Sequence, residues 1–258
     1  MRTYQLILGS LILISMKISD NGWIIERHHL YNLKYTLTDT SNIKEYDQII
    51  ESGITRVQEF FNSSFIKKFE VVIHPNRHSL DSAWQKDWNL PAYKSECWMV
   101  GSGVAFKLDL LSPIMWKNEA CEHNNSDIKK TQQLITHELV HVFHGQHNVS
   151  PDFSNTEGID WFVEGLATYV SGQCDSLKLF EIKSAISNNQ IPKSLDSFWT
   201  GKLRYGLSGS VVMFIDFKYG RDKLKKLLPL NKKTELLSIL ETNESDLLLE
   251  WEEYIKKL

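Results

Sequence analysis

Apolar positions along the first half of the chain fall mostly at a spacing of two, and beyond residue 127 they fall at three and four. The segment His28 to Asp39, HHLYNLKYTLTD, alternates and is rich in β-formers, which predicts a strand. In NIKEYDQIIESGITRVQEFFN the positions Ile43, Tyr46, Ile49, Ile50, Ile54, Val57, Phe60 and Phe61 recur near the helical period, which predicts an amphipathic helix. FEVVIHP, Phe69 to Pro75, reads as a short apolar strand stopped by proline, and HSLDSAWQKDW as a helix. Trp98 to Leu111, WMVGSGVAFKLDLL, reads as one strand interrupted by Gly101 and Gly103. From Asp127 onward the pattern is helical almost to the end, broken mainly in GQHNVSPDFSNTEGID. It closes in ETNESDLLLEWEEYIKKL, a capped helix with Leu247, Leu248, Trp251, Tyr254 and Ile255 on one side. The layout is α+β, with strands and helices first and helices alone afterwards.

With 258 residues, 42% of them hydrophobic, the chain can support a sizeable core. Its 29 basic and 32 acidic residues are mixed without a basic stripe, which argues against nucleic acid as a partner. The first residues, MRTYQLILGSLILISMKISD, place Arg2 before an apolar run from Leu6 to Met16 that is too short to span a bilayer. Residues 1–19 are therefore expected to be a signal peptide, with a retained N-terminal membrane anchor as the alternative and no other membrane insertion. The rest, 20–258, is expected to be secreted or extracytoplasmic, in an oxidising compartment. There Cys97, Cys121 and Cys174 allow one bridge in three pairings; Cys97 with Cys121 is favoured, because they bracket what looks like a strand and its return.

The densest chemistry is THELVHVFHGQHN, Thr136 to Asn148. His137 and His141 lie four apart and share one face of a helix, where two imidazoles can reach one ion. Glu138, one step round, can reach a water on such an ion without binding it, as a general base must. Ser126 and Asp127 can start this helix, and Ile135, Leu139, Val142 and Phe143 give it an apolar stripe away from the histidines. A third ligand has two candidates. His147 sits where an H-E-x-x-H-x-x-G-x-x-H pattern would put its last histidine, but the glycine is Gly145, one residue late. Glu164, in WFVEGLATYV, lies on a second helix that Gly165 and Ala167 let approach the first closely.

H-E-x-x-H followed by a loop and W-F-x-E-G-x-A-x-Y resembles the gluzincin zinc peptidases, the superfamily of thermolysin and the zinc aminopeptidases. The resemblance covers roughly residues 131 to 220. It implies a zincin-like α+β fold with an N-terminal mixed sheet, an active-site helix and a helical C-terminal lobe, the lobes meeting near residue 145. It implies one Zn²⁺ held by His137, His141 and Glu164, Glu138 as base, and a peptide or protein substrate. LRYGLSGSVVMFIDFKYG is similar to the helix that follows the active site in such peptidases, which makes Tyr205 the candidate for stabilising the oxyanion. The Gly-x-Met-Glu-Asn segment of the aminopeptidases is absent from the sequence, so an endopeptidase is favoured. Two other readings stand beside it: a zinc-stabilised binding domain without catalysis, and a metal-dependent hydrolase of a non-peptide substrate.

Around this centre, Thr168 is expected to support Glu164 from one turn away, and the edge strand GSGVAF to pair with an extended substrate. His144 and His147 are expected at a partly exposed helix end, and His28, His29, His74, His78 and His123 as ordinary packing or polar residues. The tryptophans outside the motif are expected in the core. Asn62, Asn124, Asn148 and Asn243 stand in N-x-S sequons.

Overall fold

The computed structural model describes residues 17–18 and 22–258, so the expected signal peptide lies almost wholly outside the described residues. A mixed sheet of five strands carries the N-terminal half: β2 (Trp23–Arg27), β3 (Tyr31–Thr36), β4 (Phe69–His74), β5 (Gly101–Val104) and β6 (Lys107–Leu111). A two-residue β1 (Lys17–Ile18) pairs with β2 at one edge, and the order is β1-β2-β3-β4-β6-β5. Neighbours β3 and β4, and β4 and β6, run parallel; the other pairs are antiparallel. Helices α1 (Ile43–Phe61) and α2 (Arg77–Asp87) connect the parallel strands, as such crossovers require, and a one-turn α3 (Trp116–Glu119) follows the sheet. Then come α4 (Ile128–His147), α5 (Asp160–Ser171), α6 (Ser176–Ser187), α7 (Arg204–Tyr219), α8 (Arg221–Leu227), α9 (Lys233–Leu240) and α10 (Glu244–Lys257). No helix among the described residues is long and apolar enough to cross a membrane.

Three expectations need correction. The stretch from Trp98 to Leu111 is two strands, not one: the chain turns at Ala105 and Phe106, and Gly103 pairs with Leu108. The turn is held from outside, because Ala105 N–H donates to Pro151 O and Phe106 O accepts from Glu70 N–H. The strand read over His28 to Asp39 starts at Tyr31 and gives way at Leu37 to a turn of 3₁₀ helix. Not all the tryptophans are core: Trp84, Trp116, Trp161 and Trp251 are fully buried, whereas Trp88, Trp98 and Trp199 line a cleft.

The glycines show how tightly the helical layer is built. A Cβ on Gly165 would lie 2.3 Å from Ser208 O of α7, and one on Gly209 would lie 2.9 Å from Thr168 Cγ2 of α5. Small residues thus set the approach of α5 to α7, rather than of α5 to the histidine helix as the sequence pattern implied. Gly206 differs, since a Cβ there would press on the flexible Ile182 side chain, at 3.1 Å, and otherwise meet Lys178 Cβ at an ordinary 3.6 Å. Gly165→Ala is therefore expected to destabilise by about 1–3 kcal/mol through overpacking against backbone, and Gly206→Ala by clearly less. Denaturant unfolding of the two variants checks this; equal losses would mean that the α5–α7 contact is not the constraint.

Candidate metal centre

Asp127 caps α4 by accepting from Lys130 N–H, and the helix runs unbroken through the whole histidine cluster to His147. Leu134, Ile135, Leu139, Val142 and Phe143 bury one side of it. On the other side, His137 and His141 are each only 6% exposed. The helix can lie this close to edge strand β5 because Gly101 and Gly103 lack side chains: a Cβ on Gly103 would sit 2.2 Å from Glu138 O, and one on Gly101 3.0 Å from Glu138 Cγ. Gly145, which a metzincin-like reading would use to break the helix, instead admits the Pro151 carbonyl, 2.6 Å from where its Cβ would stand.

Glu164 comes from α5, beside the two histidines. His137 Nε2 and His141 Nε2 are 3.1 Å apart, and Glu164 Oε2 lies 3.3 Å from the first and 3.6 Å from the second. Three ligands around a tetrahedral zinc, with bonds of about 2.0–2.2 Å, would stand about 3.3–3.6 Å from one another. The three donor atoms are spaced as the corners of such a tetrahedron, and the set of two imidazoles and a carboxylate suits zinc. His147 is not among them. Its Nδ1 bonds to Phe143 O one turn back, and its ring packs on Phe143.

The candidate ligands are held unequally. His137 Nδ1–H donates to Gln173 Oε1 at 2.9 Å, which orients the ring so that Nε2 faces Glu164. Gln173 reaches it because α5 ends in a left-handed Gly172 (φ 81°) that turns the chain back, and Gly172 O in turn accepts from Gln133 of α4. His141 Nδ1 is buried without a hydrogen-bond partner, against the ring of Phe153. Thr168, expected to steady Glu164, does not do so: its hydroxyl is buried without a partner and its methyl packs on Gly209.

Burial by itself would raise the Glu164 carboxyl, but the charges and hydrogen bonds of His141 and His137 overcome it and hold Glu164 well below the ordinary carboxylate range. For Glu138 the balance is opposite. Burial pushes its carboxyl up to about 7; Glu164 adds to the rise, while His137 and the Gly103 backbone oppose it. Tyr205, at the start of α7, lies with its ring 6.3 Å from that of His137 and edge-on to Trp199. Burial and the nearby Glu164 push its hydroxyl up to about 12, so the phenol is a proton donor at neutral pH. All five residues open on one cleft of about 760 Å³, with β5 along one side.

The structure corrects His144: it is fully buried, not at an exposed end. Its Nε2–H donates to Leu228 O at 3.2 Å, and Asn148 beside it bonds to Leu228 O and Leu230 O, so α4 is pinned to the segment after α8. Asn148 of the sequon is thereby buried and engaged. His28, expected as an ordinary residue, stacks on Tyr31 between Asp47 and Glu51; this is the other group of three donors among the described residues, with Glu51 exposed. The disulfide joins Cys97 to Cys121, the favoured pairing. Sequence reasoning missed Gln173, whose signal was a polar residue directly after a helix-ending glycine, and Phe153, a bulky residue at φ 59°.

A comparison with models of known protein families found no match, and neither did a search of the curated proteins.

Two outcomes follow from this geometry. For zinc held by these three donors, Gln173→Leu should weaken binding about ten- to a hundredfold, read by competition with a chelating dye; unchanged affinity would remove Gln173 from the site. Burial, with His141 nearby, lowers His144 from 6.5 to about 3. Between those values the unfolded chain binds a proton that the native state does not, so stability falls as pH drops from 6.5 towards 3. In EDTA, His144→Gln should flatten that fall by up to about 1.4 kcal/mol per pH unit, and parallel urea-stability profiles for the two proteins would show that His144 is not responsible.

Proposed function

We propose that this chain is a zinc-dependent peptidase of gluzincin type, with His137, His141 and Glu164 as metal ligands and Glu138 as general base. The observation that carries the reading is the tetrahedral spacing of the three donors beside a buried carboxylate, on the wall of an open cleft. The motif resemblance supports the same assignment, as do the edge strand and the tyrosine on the cleft's two sides.

Zinc, when bound, would supply Lewis-acid activation of a water and of the scissile carbonyl. Glu138 would take the proton from the attacking water and deliver it to the leaving amine; a carboxyl pushed up to about 7 by burial is placed for both transfers. Tyr205, protonated, would donate a hydrogen bond to the oxyanion as charge develops there. Strand β5 is the edge of the sheet and lines the cleft, where an extended peptide could lie along it, and Gly101 and Gly103 keep that edge close to Glu138. His137, His141 and Glu164 all line the cleft, so an ion held by them would be open to substrate, as a catalytic rather than a structural site needs. The domain would be a single one over residues 20–258, exported from the cytoplasm and free of nucleic-acid partners.

Elemental analysis of the purified protein should give one equivalent of zinc, lost in Glu164→Ala and kept in His147→Ala. Glu138→Gln should keep its zinc and lose about 10²–10⁴-fold in peptide hydrolysis. Zinc retained with full function in Glu138→Gln would make the site a structural staple, and turnover of esters but not of a peptide library would make the enzyme another kind of hydrolase.

A further inference from the structure

Arg204 opens α7, and its guanidinium reaches across one end of the cleft. Its central carbon lies 4.7 Å from the ring centre of Trp98, 5.3 Å from that of Trp199 and 5.2 Å from that of Tyr205. Trp98 belongs to the wall that leads into β5, the other two to the segment entering α7. The cation therefore bridges both walls. The Trp98 wall is itself anchored, by the Cys97–Cys121 disulfide and by His123, whose Nε2 bonds to Trp98 O at 2.9 Å.

The cation has no acidic partner. The cleft carries Asp152, Asp160 and Asp175, yet Arg204 forms no ion pair with any described carboxylate, and its polar neighbour is the Tyr205 hydroxyl. Aromatic rings approach the guanidinium through its faces, and apart from the hydrogen bond to the Tyr205 hydroxyl its N–H donors meet no described protein acceptor. A guanidinium held among three rings has less freedom left to lose when a planar anion meets it. Its edge matches a carboxylate through two parallel hydrogen bonds. It also lies close to the metal centre, since the Tyr205 ring that it touches is 6.3 Å from the ring of His137. An extended peptide advances at most about 3.3–3.6 Å per residue, so the group met by Arg204 belongs to a residue within about three of the bond being cut.

We propose that Arg204 binds a substrate carboxylate, within about three residues of the scissile bond, and so determines specificity. This rests on the peptidase reading above. The carboxylate comes either from the C-terminus of a short peptide or from an Asp or Glu side chain, and the same experiment separates the two.

The test uses the full chain carrying Glu138→Gln, so that no probe is consumed, with and without zinc. Binding is followed by tryptophan fluorescence, because Trp98 and Trp199 flank the cation. The probes are acetyl-Ala-Phe-Ala with a free C-terminal carboxylate, its C-terminal amide, and two amides ending in Glu or in Gln. Carboxylate probes should bind about ten- to a hundredfold tighter than their neutral counterparts, the range of charge-assisted hydrogen bonds. Arg204→Gln should bring that ratio near one, Arg204→Lys should keep part of it, and Tyr205→Phe should keep it. Circular dichroism and retained zinc confirm that each variant is folded. A preference for the free acid alone assigns the C-terminus, and a preference for Glu over Gln assigns a side chain. A ratio near one before substitution, or a ratio that survives Arg204→Gln, overturns the proposal. Parallel hydrolysis assays with intact Glu138 keep the two readings apart: carboxylate binding without cleavage of any peptide would sink the peptidase and leave Arg204's role standing, whereas cleavage indifferent to carboxylates would do the reverse.

Discussion

Two imidazole nitrogens and a carboxylate oxygen face one another at 3.1–3.6 Å inside the protein, and all three are lone-pair donors. The hydrogen bond from His137 Nδ1–H to Gln173 leaves no proton for His137 Nε2 in a neutral ring. Lone pairs crowded this closely repel unless a shared hydrogen or a bound cation lies between them, and a buried polar group left unpaired costs free energy. The rest of the helical layer is arranged so that these groups cannot separate. Asn148 and His144 fasten one end of α4 to the Leu228–Leu230 segment, and Gln133 fastens it to the end of α5.

The constraint explains why small residues are concentrated where they are. Helix α4 must lie on β5 closely enough for Glu138 to be covered by the strand, which Gly101 and Gly103 permit. Helix α5 must present Glu164 to α4 while it is itself buried against α7, which Gly165 and Gly209 permit. Helix α7 in turn begins at the cleft with Arg204 and Tyr205, so the contact that seats Glu164 also seats the tyrosine. The donors, the proposed base and the proposed oxyanion group are thus fixed by the close approaches of α4 to β5 and of α5 to α7, together with the side-chain hydrogen bonds of His144, Asn148 and Gln133.

This is also why the residues of the candidate site were legible in the sequence and much of their support was not. His137, Glu138 and His141 were read from H-E-x-x-H placed on one helix, and Glu164 and Tyr205 from the resemblance of their local motifs to the gluzincin pattern, because each depends on spacing within one helix. Gln173 depends on a left-handed glycine that redirects the chain, and Arg204 on a tryptophan over a hundred positions earlier; neither relation has a period. The helix over Ile43–Phe61 and the closing helix over Glu244–Lys257 were readable for the same reason as the motif. The β5–β6 hairpin was not, since its turn at Ala105 and Phe106 has no strong turn residue after Gly103 and is held by Pro151 and Glu70 from elsewhere in the chain. His144 misled in the opposite direction: a histidine near a helix end suits solvent, but tertiary packing covered it with Phe153, Phe162 and Leu228.

The uneven support of the two histidines bears on how such a centre would behave. His137 is oriented by Gln173, whereas His141 Nδ1 meets no acceptor and its ring rests on Phe153, a residue held at a left-handed φ of 59°. A ligand without a hydrogen-bonded partner is a weaker base and is positioned by packing alone. Phe153 belongs to the loop between α4 and α5, the two helices that supply the donors, so the apolar support for His141 and the separation of the ligand helices are set by one segment. On the proposed reading, binding of the ion would draw α4, this loop and α5 into one unit, and part of its binding free energy would appear as stability of the helical layer.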